Sequence, residues 1–193
     1  MLLQLILAIE DPVKQSVLLD FFVNYGKKAL AEAMAIVHNY HTAEDMVSDA
    51  IVILTRNPNY MKYDTAKENW PLYSAIIRNR SKNYMRKYKN IVYIEDYPVD
   101  TINSLTGQEI KDLSELLATK ELYEFAQQAI SSVLLEIDKD ILLLRFENEL
   151  SYEEISAICG ISAKYASTRA TRALAKLNKE MQKKMQGGEY NGS

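Results

Sequence analysis

Seven basic residues and a single acid lie between Ser162 and Lys184. Arg169, Arg172, Lys176, Lys179 and Lys183 step by three, four, three and four, which places them on one stripe of an α-helix. A row of fixed cations on a helix suits the neutralisation of phosphates. Ahead of the stripe stand Ser162, Lys164, Tyr165, Ser167 and Thr168, whose polar side chains suit base edges when the first turns of a helix enter a major groove. A second basic block runs from Trp70 to Ile94, with Arg78, Arg80, Lys82, Arg86, Lys87 and Lys89 and no acid. Its members Arg78, Lys82, Arg86 and Lys89 also recur at helical spacing.

Other chemistries are poorly supplied. The two histidines, His38 and His41, stand together, and Cys159 is the only cysteine, so neither a Ser-His-Asp nor a Cys-His arrangement can be drawn. A single cysteine makes no internal disulfide and no Cys-based metal site, and a packed thiol is its expected state. His38 and His41, with Glu44 and Asp45 nearby, lie at a helix break, where a capping role for Thr42 and Asp45 is a better reading than a metal site. None of the six glycines falls in a phosphate-cradling GxGxxG or GxxxxGK[ST] pattern. The sequence therefore predicts no enzyme, no cofactor and no metal.

These residues need elements to hold them. The chain has 193 residues, 48% hydrophobic and 25% charged, enough for one domain or two small ones of ordinary globular composition. No apolar run approaches the ~20 residues of a membrane span. The opening MLLQLILAIE has no preceding base and no cleavage site, so it reads as a first helix on the core and not as a signal peptide. Strand signals are nearly absent. Residues 20–40 are apolar and alanine-rich. Thr42 then marks a helix start, and Ala43, Met46, Val47, Ala50, Ile51 and Leu54 form a stripe expected to be buried. Glu44, Asp45, Ser48 and Asp49 fall on its other faces. After a break at Arg56-Asn57-Pro58-Asn59, a polar loop is expected to Trp70, with Pro71 opening a helix that runs to about Lys89.

Eight acids against two lysines fill residues 95–124, together with Pro98, Asn103 and Gly107. This reads as an acidic linker over 91–121, with a short helix near 108–120. From Leu122 helical spacing returns, and Phe125, Ala129, Leu134, Leu135, Ile141, Leu142, Leu144 and Phe146 supply a second small core. Ser151 and Glu154 form a capping box at the start of a short helix that buries Ile155 and Ile158. Gly160 supplies a left-handed terminus, and Ser162 caps the long basic helix. A short helix, a tight turn and a long helix make a helix-turn-helix. The expected fold is all-α, with two small helical domains (1–90 and 122–185) joined by the acidic linker, the second a helix-turn-helix, and a tail at 186–193.

Leu150–Ser156, Gly160-Ile161-Ser162 and Ser167–Ala173 resemble the C-terminal promoter-binding domain of bacterial sigma factors. The resemblance is nearest to the short, two-domain, extracytoplasmic-function type of the sigma-70 family. Ala43–Ile51 resembles that family's helix that grips the clamp helices of the polymerase largest subunit. Ile77–Arg80, with the basic helix after it, resembles the segment that opens the promoter. The resemblance covers about residues 15–90 and 120–180, in the family's order.

It implies an initiation factor that binds core RNA polymerase through Glu44, Asp45, Ser48 and Asp49. The minus-10 element would be met by Lys67, Asn69, Trp70, Tyr73, Arg78, Asn79, Arg80, Lys82, Asn83 and Arg86. The minus-35 duplex would be read by Ser162, Lys164, Tyr165, Ser167, Thr168, Arg169, Arg172 and Lys176. Trp70, Tyr73, Tyr84 and Tyr88 would stack on unpaired bases, each worth ~1–3 kcal/mol. Residues 64–69 would supply a pocket for an extruded base, as the equivalent loop does in the family. The resemblance also implies a cytoplasmic protein without membrane insertion, and the family often has an anti-sigma partner. Two other readings fit part of the chain: a stand-alone helix-turn-helix regulator of duplex DNA, and a protein whose first half only sequesters a partner. Neither uses both the acidic helix 43–54 and the basic-aromatic segment 70–88.

Overall fold

The computed structural model describes residues 2–89 and 120–188. Among them every regular element is helical. The α-helices are α1 (Leu2–Leu7), α2 (Pro12–Val23), α3 (Gly26–Val37), α4 (Tyr40–Arg56), α5 (Ala66–Lys89), α6 (Lys120–Val133), α7 (Glu136–Leu142), α8 (Tyr152–Cys159) and α9 (Ala163–Gly188). A 3-10 turn at Pro58–Tyr60 and a π-turn at Leu143–Glu147 complete the set.

Local chemistry sets the boundaries. Asp11 accepts from the amides of Val13 and Lys14 and caps α2, whose first residue is Pro12. The apolar segment 20–40 is interrupted at Asn24-Tyr25, and α3 begins afresh at Gly26. The cap of α4 is Asn39, whose Oδ1 accepts from the Thr42 amide, so the helix starts earlier than Thr42. α5 starts at Ala66, ahead of Pro71. Thr65 accepts from the Glu68 amide and donates to the Glu68 carboxylate, a Thr-x-x-Glu start that the proline signal hid. Pro71 thus lies inside α5, where its nitrogen has no proton to give the helix ladder.

The described residues divide into two units, one of residues 2–89 and 143–163, the other of 120–142 and 164–188. In the first, α5 packs against α3 and α4. Its core includes Leu18, Phe21, Ala33, Ile51, Leu54 and Tyr73, all essentially sealed from solvent. Burial of a large apolar side chain such as Leu18, Phe21, Ile51 or Leu54 contributes roughly 1.5–3 kcal/mol. The expected α4 stripe is buried at Ala43, Met46, Ala50, Ile51 and Leu54, with Val47 at its edge. The same unit includes 143–163, in which α8 lies against α5.

The second unit has its own cluster of Ala129, Leu134, Ala173 and Leu177, with Phe125, Ile130 and Leu142 packed against it. Leu135 and Phe146, expected in a second core, are 58% and 45% exposed. Leu144 is buried in the first unit. The linker 91–121 and its short helix fall, but for the first residues of α6, outside the described residues, as does most of the tail.

Candidate nucleic-acid interface

The turn between α8 and α9 is built as its sequence demands. Ser151 Oγ accepts from the Glu154 amide, and the Glu154 carboxylate accepts from the Ser151 amide at 2.8 Å. Those donors hold the Glu154 carboxyl below its ordinary pKa. Gly160 takes φ +63°, and its amide donates to the Ser156 carbonyl, which ends α8. Ser156 Oγ donates to the Ile161 carbonyl at 2.6 Å and pins the turn. Ile155, Ile158 and Cys159 are buried, as are Ala166, Ala170, Ala173, Leu177 and Met181 on the apolar side of α9.

On α9 the charged side chains divide. Lys164 and Lys176 are exposed, and Ser162 is exposed just before the helix. Tyr165, Ser167, Thr168 and Arg172 are half-buried. Arg169 has a different task from that expected. Its Nε donates to Asp138 Oδ1 at 2.7 Å and its Nη1 to the Tyr165 hydroxyl at 2.8 Å. The side chains of Arg169 and Asp138 are 14% and 6% exposed. Burial opposes the Arg169 charge, but Asp138 and Tyr165 hold its pKa above the usual value. Asp138, on α7, was not singled out by sequence reasoning; its only local signal was a place in the first turn of a helix.

α5 shows the same division. Lys67 is exposed, and Lys82, Asn83 and Arg86 are half-buried at its surface. Arg78 Nη1 donates to Glu32 Oε1 at 2.8 Å and also to the Ser74 hydroxyl. Arg80 Nη2 donates to Asp49 Oδ2 at 2.6 Å. Tyr73 is fully buried against Phe21, with centroids 4.4 Å apart, so its ring serves the core and not a base. Burial pushes its phenol pKa well up. Asn79 is also buried, its Nδ2 on the Ala75 carbonyl.

Asn69 is buried too and organises the loop before α5. Its Nδ2 donates to the carbonyls of Tyr63 and Thr65 at 2.7 and 2.8 Å. Lys14 Nζ donates to that Tyr63 carbonyl at 3.3 Å. Beside the loop lies an open cleft of about 480 Å³ between Asp64, Thr65 and Ala66 and the α2 residues Ser16, Asp20 and Val23 with the C-cap Asn24.

Trp70 stacks on Tyr25 with centroids 5.4 Å apart, and Lys28 Nζ lies 3.9 Å from its ring centroid. Tyr84 and Tyr88 stack on each other at 4.8 Å, with Tyr88 76% exposed. On α4, Glu44 and Asp45 are exposed, Ser48 is half-buried and Asp49 is paired with Arg80. No group of three His, Cys, Asp or Glu residues suited to a metal occurs among the described residues. None of the described helices is long and apolar enough to cross a membrane.

Comparison with known proteins meets this geometry at the helix-turn-helix. Residues 128–177 match the family described as Sigma-70, region 4. RNA polymerase sigma factor SigV of Bacillus subtilis (strain 168) is 28% identical to the chain over 149 residues, covering 74% of this chain and 77% of that protein.

Proposed function

We propose that this chain is a bacterial sigma factor of the sigma-70 family, of the extracytoplasmic-function type, and that it directs core RNA polymerase to promoters with a minus-10 and a minus-35 element. The family role is promoter recognition during transcription initiation, by binding and without catalysis. The observation that carries the finer reading is the division of charge on the helices. Glu44 and Asp45 on α4 are exposed acids, while Lys67, Lys82 and Arg86 on α5 and Lys164 and Lys176 on α9 reach the surface as cations.

In this reading α4 docks on the basic clamp helices of the largest polymerase subunit. Complementary charge there raises the encounter rate and sets the register of docking. α5 holds the strand being separated through Lys67, Lys82, Asn83 and Arg86, while Tyr84 and Tyr88 offer ring faces to unpaired bases. The cleft beside Asp64 and Thr65 takes an extruded base. Asn69, Tyr73, Asn79, Arg78 and Arg80 position this surface from behind. α9 enters the minus-35 major groove with its first turns, so that Ser162, Lys164, Ser167 and Thr168 face base edges and Arg172 and Lys176 face phosphates. Arg169 holds the helix to Asp138 instead of reading DNA. The working compartment is that of the polymerase, the cytoplasm, and an anti-sigma partner would compete for the same surfaces.

The test is co-elution of the full chain with core RNA polymerase on size exclusion, followed by transcription from promoter libraries. A stoichiometric complex that initiates at a defined pair of elements is the expected result. A folded chain that binds duplex DNA but gives no polymerase complex would assign it instead to stand-alone regulators.

A further inference from the structure

The pair of Asp138 and Arg169 has a third member. Arg169 donates from Nε to Asp138 Oδ1 at 2.7 Å and from Nη1 to the Tyr165 hydroxyl at 2.8 Å. One planar guanidinium therefore bridges a buried carboxylate on α7 and a phenol on α9. Tyr165 is the third residue of α9 and lies one turn before Arg169 on the same face. In a helix-turn-helix the first turn of the second helix is the part that meets base edges. Arg169 is set back from that surface, with its side chain only 14% exposed, while Tyr165 is half-buried and reaches it.

The direction of the bonds decides what Tyr165 can offer. A phenol has one hydrogen to donate and an oxygen that accepts. Arg169 takes the oxygen, so a partner in the groove is met by the hydrogen. A guanidinium on the oxygen also strengthens the O–H as a donor, because linked hydrogen bonds polarise one another. Thr168 is disposed the other way. Its Oγ1 donates to the Lys164 carbonyl at 2.9 Å, so its hydrogen serves the helix. The phenol is held in place before DNA arrives, since Asp138 fixes Arg169 and Arg169 fixes Tyr165. A side chain ordered in advance loses less entropy on binding. In the major groove guanine is the base whose edge consists of two acceptors, N7 and O6, whereas cytosine and adenine carry amino donors there.

We propose that Tyr165 is a specificity-determining residue of the minus-35 contact, donating its hydroxyl hydrogen to a guanine, and that Asp138 is its positioning residue, acting through Arg169. The proposal rests on the reading of α9 as the minus-35 helix. Asp138 is too buried to meet DNA itself. Loss of this contact changes which base is chosen and leaves the salt dependence alone, because a neutral contact to a base releases no counterions.

The test is transcription from a promoter library randomised over the minus-35 element, by core RNA polymerase with the full chain. Tyr165→Phe keeps the ring and removes the hydroxyl. It is expected to reduce a preference for guanine at one minus-35 position by about twofold to tenfold, the range of one neutral hydrogen bond, with the other positions and the salt dependence unchanged. Asp138→Asn and Arg169→Lys are each expected to reduce the same preference at the same position, and to add nothing to it when combined with Tyr165→Phe. Arg169→Lys keeps a cation beside Asp138 but lacks the fork that reaches both partners, and it decides the matter where Asp138→Asn does not fold. A merely structural role would weaken initiation at all sequences alike.

Three results with Tyr165→Phe overturn the base contact: no change at any position, an equal loss at every sequence, which marks a phosphate contact, or a lost preference for a base other than guanine. A folded Asp138→Asn or Arg169→Lys variant that keeps the guanine preference overturns the positioning. An unsubstituted chain that initiates at no library sequence overturns the sigma reading itself and the proposal with it, a result distinct from initiation with a profile that Tyr165→Phe leaves unchanged.

Discussion

Arg80 Nη2 lies 2.6 Å from Asp49 Oδ2 and ties the basic helix α5 to the acidic helix α4. The two side chains are 35% and 44% exposed, so the pair is screened by water and worth at most about 1 kcal/mol. The neighbouring cluster is more sheltered. Arg78 and Glu32 are 25% and 23% exposed and share the buried Ser74 hydroxyl. Glu32→Ala should therefore cost clearly more stability than Asp49→Ala, by about 1–2 kcal/mol, because it leaves a half-buried guanidinium and a buried hydroxyl short of an acceptor. Urea denaturation of the two variants checks the order. Equal midpoints would show that Arg78 finds another acceptor.

Asp45 is exposed on α4, beyond the reach of the core. Asp45→Lys should abolish the complex with core polymerase and leave the thermal midpoint and the binding of minus-35 duplex unchanged. Normal co-elution of this variant would move the docking surface off α4.

Two substitutions on the second unit should separate reading from scaffolding. Lys176 is exposed, and Lys176→Ala should reduce the slope of log affinity against log salt for duplex DNA by about one, the loss of a single phosphate contact. Asp138→Ala leaves Arg169 buried without its carboxylate and should destabilise the fold by about 3–5 kcal/mol. Where the protein remains folded, its salt slope should not change. A reduced slope for Asp138→Ala with unaltered stability would place Arg169 on the DNA.

The capping box predicts an acid limb to stability. Ser151 donors hold the Glu154 carboxyl below its ordinary 4.5, so the folded value is lower than the unfolded one. Stabilisation from this group is then complete above the unfolded value and is lost as pH falls through the folded value. Glu154→Gln should lower the melting temperature near neutral pH, and the difference from the unsubstituted chain should shrink toward about pH 3, where carboxylates protonate. A pH-independent difference would mean that the charge of Glu154 contributes nothing. Ser151→Ala should cost about 1 kcal/mol by loss of the cap.

The elements whose signals are local were legible in the residues. Ser151, Glu154 and Gly160 specify the start and end of α8 through bonds spanning three or four positions, and the structure places each in that role. The α4 stripe was legible for the same reason, since helical period alone puts Ala43, Met46, Ala50 and Leu54 on one face. Competing local signals misled where two were available. Pro71 and Thr65 both mark helix starts, and Thr65 with Glu68 prevails, placing Ala66–Asn69 in the first turn of α5 instead of a loop.

By itself the sequence determined the all-helical class, the helix-turn-helix grammar and the two blocks of positive charge, because caps, periods and charge runs act within a few residues of chain. Only the tertiary structure decided which charges are free to meet a partner. Arg78, Arg80 and Arg169 sit in basic blocks, yet each meets a carboxylate 31 or 46 residues away, and Arg86 meets carbonyls 73 and 74 residues away. Tyr73 sits among ring-bearing neighbours, yet Phe21 of α2 covers it. Helical period assigns a side chain to a face of its own helix. What lies against that face is settled by distant residues, and those pairings are set when the helices pack.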